Sequence, residues 1–113
     1  MTSSDFIMVY MTTSSRNEAE TIGRALVTER LAACINILGE VRSIYQWNGG
    51  VEESNEVAVI AKTHRELFDK LNARVKELHS YDTPCVVSYA MSNADADYLG
   101  WLSAVTTSTA KAH

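Results

Sequence analysis

Three side chains in this chain have the chemistry to hold a soft metal ion: the thioether of Met11, the imidazole of His79 and the thiol of Cys85. Two sulfurs and one nitrogen suit copper, the reduced ion above all. The three are far apart in sequence, so only the tertiary fold brings them together. The tight Cys and His spacings of a structural zinc site are absent. So are a Gly-rich phosphate loop, a nucleophile elbow and a His-Glu-x-x-His helix, and no Ser, His and acid spacing nominates a triad, so the residues argue for a non-catalytic protein. The second cysteine, Cys34, belongs to a different part of the chain and reads as a buried thiol.

The elements that must position these groups follow from the apolar periodicity. Phe6 to Met11 is a continuous apolar run of strand formers, the pattern of a central strand. Ser15-Arg16-Asn17-Glu18 has the form of a capping box. It predicts a helix running to about Ala33 that buries Ala19, Ile22, Leu26 and Ala33, with Gly23 tolerated for close approach to a sheet. Cys34 to Trp47 reads as one long strand with a bulge at Gly39-Glu40, and Asn48-Gly49-Gly50 as a tight hairpin turn. The return strand spans Val51 to Lys62. Thr63-His64-Arg65-Glu66 has the form of a second capping box, opening a helix with Leu67, Leu71, Val75 and Leu78 inward. Pro84 precedes a last strand, Cys85 to Met91. Asp95 to about Ala104 is a short helix with Leu99 and Leu102 inward and Tyr98 and Trp101 as a second pair. Thr106 to His113 is a polar tail expected to fray.

That order, βαββαβ plus a final helix, predicts an α+β, ferredoxin-like sandwich with an antiparallel sheet in the order 4-1-3-2. It forms a single domain over 1–113, with an ordered core of about 5–104. In that order the end of the first strand meets the start of the fourth, which gathers Met11, His79 and Cys85 at one end of the sheet. Cys34 falls on the far edge. Three strand spacings exceed roughly 14 Å, beyond the ~7 Å reach of a disulfide. The middle hairpin is longer than the outer strands require, and its distal half carries Ile44, Tyr45, Trp47 and Val51. A projecting hairpin that pairs with a neighbour covers those side chains and the edge strands together.

The blocks Leu31-Ala32-Ala33-Cys34, Tyr45-Gln46-Trp47-Asn48-Gly49, Lys62-Thr63, Tyr81-Asp82-Thr83-Pro84 and Tyr98-Leu99-Gly100-Trp101-Leu102 occur in this order. Over about residues 5–102 the chain resembles the CutA family, small proteins linked to tolerance of divalent cations. The resemblance implies the same ferredoxin-like fold and a homotrimer built through strands of adjoining subunits, with Tyr45, Trp47, Val51 and Trp101 at the trimer interface. It also implies a copper site formed by a Cys at the end of the first strand and His at the end of the second helix. Here Met11 stands where that Cys would be, Leu78 and Ser80 flank His79, and Cys85 replaces an acidic residue. Only His79 carries over unchanged. CutA is similar in architecture to trimeric PII-type sensors. By that analogy Arg42, Gln46, Glu56, Lys62 and Tyr81 would line a cleft between subunits for a small anionic effector.

The composition narrows the alternatives. With 113 residues, 46% of them hydrophobic, the chain makes one globular domain with a real core. A net charge of −4, with ten basic residues scattered among fourteen acids, argues against a nucleic-acid partner. An RNA-binding sheet would also carry aromatics on its third strand, where there are none. Arg16 after the first strand hints at an acylphosphatase-like loop, but the glycines such a loop needs are missing. The N-terminus lacks the basic region of a secretory signal, and no apolar run approaches the ~20 residues of a membrane span. The expectation is a cytoplasmic protein with no membrane partner, and copper or another divalent cation as the only cofactor in view.

Overall fold

The computed structural model describes residues 2–106; Met1 and the expected tail at 107–113 lie outside them. The chain runs β1 (Phe6–Thr13), α1 (Arg16–Thr28), β2 (Cys34–Trp47), β3 (Gly50–His64), α2 (Phe68–Leu78), β4 (Val86–Ala90) and α3 (Ala96–Ala104). The four strands form one antiparallel sheet in the order β2-β3-β1-β4, which is the expected 4-1-3-2 order read from the other edge.

Strand alternation divides the core between two faces. Ile7, Val9 and Met11 of β1, with Val57, Val59 and Ala61 of β3, face α1 and α2 and meet Ile22, Leu26, Leu71 and Val75. Phe6 and Met8 point the other way, where α3 seats Leu99 and Leu102 against them together with Ala33 and Met91. The last helix therefore covers one end of the face opposite α1 and α2. The rest of that face is open, and Val87 and Tyr89 are exposed on it.

Local chemistry explains most boundaries, and corrects some. Ser15 Oγ accepts from the Glu18 N–H at 3.1 Å, as an N-cap should. The Glu18 carboxylate, however, accepts from Ser14 rather than from Ser15. α1 ends at Thr28, five residues before the expected Ala33, because Arg30 adopts φ 63° and turns the chain out of the helix. Ala33 consequently joins the α3 cluster. The second expected capping box does not form. Strand pairing continues to His64, Thr63 Oγ1 donates to the Leu31 carbonyl, and a single 3-10 turn at Arg65–Leu67 leads into α2.

The bulge in β2 lies between Ile37 and Gly39, with Gly39 at φ 120°, a value that favours glycine. The extra residue, Leu38, inverts the alternation. Ile35 and Ile37 pack toward the helices, whereas Val41 lies opposite Glu56 and Ser43 opposite Ser54 on the open face. Asn48 and Gly49, both at positive φ, close the hairpin. The hairpin projects and makes the molecule 47 Å long against 26 and 23 Å across.

Candidate functional site

His79 caps the end of α2, its N–H bonded to the Val75 carbonyl at 2.8 Å. Its ring is fully buried. Nε2 lies 2.8 Å from the Thr12 carbonyl, which only accepts, so Nε2 carries the proton and donates. Nδ1 accepts from the Tyr81 N–H at 3.0 Å. Both nitrogens of a neutral imidazole are thus engaged. The Glu18 carboxylate lies 3.8 Å from Nδ1, but its own hydrogen bonds come from Ser14 and the Ser80 N–H. Burial pushes the Glu18 carboxyl up, and these donors outweigh it and hold it below the usual value.

The three residues expected to share a metal do not converge. Met11 is wholly buried on the helix-facing side among core side chains. Its strand partner Val86 points the same way, so the preceding Cys85 belongs to the open face. His79 has no lone pair to spare. The donor set does not fit copper in this arrangement. Among the described residues, no group of three or more His, Cys, Asp and Glu side chains gathers as metal ligands would.

What the open face assembles instead is a polar cluster around Glu56. Its carboxylate accepts from Ser43 Oγ–H at 2.5 Å and from the Tyr81 hydroxyl at 3.1 Å, and the residue is only 8% exposed. The Tyr81 ring packs on His79 at 4.7 Å. Burial and the bond to Glu56 push the Tyr81 phenol up to about 12. Burial, then the Glu56 charge, raises the Cys85 thiol. Burial, then Cys85 and Glu56, raises Tyr10. A negative charge held by hydroxyl donors therefore dominates this corner, with Glu18, Ser43 and Tyr10 as members that sequence reasoning missed. Ser43 reaches Glu56 only through the register that the Leu38 bulge imposes, which no local motif records.

The five expected cleft residues are spread over one chain. Glu56 and Tyr81 are joined directly. Arg42, opposite Asn55, extends to the other side of the hairpin, where Glu53 Oε1 accepts its Nη2 at 2.9 Å and Asn55 accepts Nη1 at 3.0 Å. Gln46 lies near the hairpin tip opposite Val51. Lys62 is six residues along β3 from Glu56, roughly 20 Å, and stands over the Tyr98 ring. Of the expected interface residues, Trp47, Val51 and Trp101 are 53, 66 and 46% exposed, and Tyr45 is exposed too. The pairing of Tyr98 with Trp101 forms as expected, with ring centroids 5.6 Å apart. Cys34 and Cys85 are both free thiols.

Against known proteins, the family model described as the CutA1 divalent ion tolerance protein matches residues 7–105. The divalent-cation tolerance protein CutA of Thermus thermophilus is 44% identical over 95 residues, 84% of this chain and 92% of the relative. That of Pyrococcus horikoshii is 43% identical over 96 residues, 85% of this chain and 93% of the relative. The solved Cut A1 structure from Thermus thermophilus superposes with a TM-score of 0.87 at 42% identity, covering 89% of this chain and 98% of that one. CutA1 from Oryza sativa also gives 0.87, at 35% identity over 89% and 93% of the two chains. A family model that spans nearly all of the described domain and solved relatives of the same fold agree: the chain belongs to the CutA1 divalent ion tolerance family.

Proposed function

We propose that this protein works as a non-catalytic homotrimer in the cell's response to divalent metal ions. The supporting observation is the projecting hairpin, whose Ile44, Tyr45, Trp47 and Val51 are all exposed in a single chain. Large apolar patches of this kind mark association surfaces, and β2 and β4 leave both sheet edges unpaired within the chain. A head-to-tail contact that closes on itself hides hairpin and edges together. Membership of a tolerance-protein family supplies the link to divalent ions. Direct copper binding by His79, Met11 and Cys85 together is no part of this reading, for the geometric reasons above.

The test has two arms. Light scattering at micromolar protein is expected to give three times the chain mass. A strain lacking its own tolerance protein is expected to regain growth in elevated divalent metal when it carries this chain. A monomer, or a failure to restore tolerance by a well-expressed trimer, overturns the reading.

The second reading is a PII-like sensor of a small anionic effector, which is less well supported. Within one chain Arg42 is already held by Glu53 and Asn55, and Glu56, the most buried of the five expected cleft residues, repels an anion. A thermal-shift comparison of nucleotides with divalent cations separates the two, since a ligand stabilises the state it binds. We place the protein in the cytoplasm, where two unpaired thiols are kept reduced. No described helix is long and apolar enough to cross a membrane. The Archaeoglobus fulgidus relative is described as periplasmic, so cell fractionation is the deciding measurement.

A further inference from the structure

The chain holds six asparagines, and only Asn48 is followed by glycine. Asn48 and Gly49 make the two-residue turn of the β2–β3 hairpin, closed by the Trp47–Gly50 pair, with φ of 50° and 81°. Both are exposed. Neither the Asn48 carboxamide nor the Gly49 N–H has a hydrogen-bond partner among the described residues. A Cβ built at Gly49 meets nothing within 4 Å, so the turn stands clear of the rest of the chain. The other five asparagines are better guarded. Asn17 and Asn72 lie in α1 and α2, and Asn36 and Asn55 in the β2–β3 ladder. The N–H that follows Asn17 is given to Ser15 Oγ, and the Asn55 carboxamide accepts from Arg42. Asn93 is exposed and outside any helix or strand, but it precedes Ala94, whose Cβ hinders the approach of its nitrogen.

We propose that Asn48 is a deamidation site, at which the hairpin tip converts to aspartate and isoaspartate without an enzyme. Asparagine is a thermolabile side chain, and a following glycine leaves the backbone nitrogen unhindered and free to rotate. The reaction is intramolecular, so it calls for water and room at the tip rather than for a docked partner. In the first step the Gly49 nitrogen attacks Asn48 Cγ. The N–Cγ bond forms, the Cγ–Nδ2 bond breaks, and the side-chain nitrogen leaves as ammonia with the proton from Gly49. Water then opens the cyclic imide at either carbonyl, adding hydroxyl to carbon and hydrogen to nitrogen. Opening at Cγ restores the ordinary chain with aspartate at this position. Opening at the main-chain carbonyl leaves isoaspartate, whose chain runs through Cγ. Both products are carboxylates at neutral pH, on a hairpin that already carries Glu52 and Glu53. Isoaspartate also adds a methylene to the main chain, which a two-residue turn does not accommodate. Deamidation therefore loosens the hairpin tip.

Ageing the intact, folded protein at mildly alkaline pH tests this, with Asn93 as the internal reference. Peptide mass spectrometry reads the exchange of amide for acid, and an isoaspartyl methyltransferase with its methyl donor reads the isoaspartate product. The mass change is expected at Asn48 before Asn93, with methyl acceptance rising in step. Asn48→Gly keeps a residue that tolerates the positive φ and is expected to lose methyl acceptance. An Asn48 rate no greater than that of Asn93 in the folded protein, or undiminished methyl acceptance in Asn48→Gly, overturns the assignment. In a Trp101→Phe background, the emission of Trp47, which adjoins the turn, is expected to shift as isoaspartate accumulates. Unchanged emission after complete conversion overturns the loosening of the tip.

Discussion

At the scale of single residues, the Glu56 cluster makes the firmest demand on chemistry. A carboxylate 8% exposed needs donors in place of the water it has lost, and two hydroxyls supply them. Tyr81→Phe removes one donor and is expected to destabilise the fold by about 1–3 kcal/mol, the penalty of leaving a buried acceptor short of partners. Chemical denaturation at neutral pH measures it, and a change near zero would mean that water replaces the phenol without loss. The alkaline limb carries a second signature. The folded state holds the Tyr81 proton more tightly than the unfolded chain, with a value of about 12 against 10.0. That contribution to stability is complete below pH 10, and it is lost as pH rises toward 12. An ultraviolet tyrosinate titration should show one late phenol that returns toward the ordinary value in Glu56→Gln; the same late phenol in that variant would assign the shift to burial alone. Sequence reading reached Glu56, Tyr81 and His79 as polar residues worth naming. It could not see that His79 spends both nitrogens on Thr12 and Tyr81, because backbone acceptors leave no trace in a residue pattern.

At the scale of elements, what was legible was whatever periodicity or turn chemistry dictates locally. The strands, the Asn48-Gly49 turn, the glycine bulge and the inward faces of α1 and α2 all follow from such signals. The failures lie where tertiary contacts override them. Thr63 has the form of a cap but spends its hydroxyl on Leu31, and the helix expected to reach Ala33 is stopped by the Arg30 turn. Met11 and Cys85 were assigned to one end of the sheet correctly, but their faces depend on register. Gly23 illustrates the opposite case, in which a local penalty pointed to a real contact. A Cβ added there would stand 3.0 Å from Ile35 Cγ2, so the glycine lets α1 lie close on β2. Gly23→Val forces the helix and strand apart and is expected to cost about 1–3 kcal/mol, the range for overpacking. Thermal unfolding of the variant checks this, and a melting temperature equal to the parent's would mean that Ile35 rotates away freely. On the other face, Leu102 is fully buried, and Leu102→Ala is expected to lose about 2–5 kcal/mol. A loss that small surface substitutions would give, within about 0.5 kcal/mol, would mean that α3 is not a fixed part of the domain.

At the scale of the whole molecule, the shape itself argues for assembly. A hairpin that stretches the chain to 47 Å adds exposed apolar surface and no core of its own. Trp101, read in the sequence as half of a packing pair, is likewise 46% exposed on the outside of α3. Within one chain these two indoles have little to stabilise, so their truncation separates folding from association. Trp47→Asp is expected to shift the light-scattering mass from three chains toward one while leaving the far-ultraviolet circular dichroism of the domain in place. Trp101→Ala is expected to lower the melting temperature in a way that depends on protein concentration, because the stability of an obligate assembly is tied to the concentration of its subunits. If both variants remain trimeric with concentration-independent melting, the hairpin and the outer face of α3 lie outside the interface. Association would then have to use the open sheet face around Val87 and Tyr89 instead. The measurement thus decides which exposed surface the fold was built to cover.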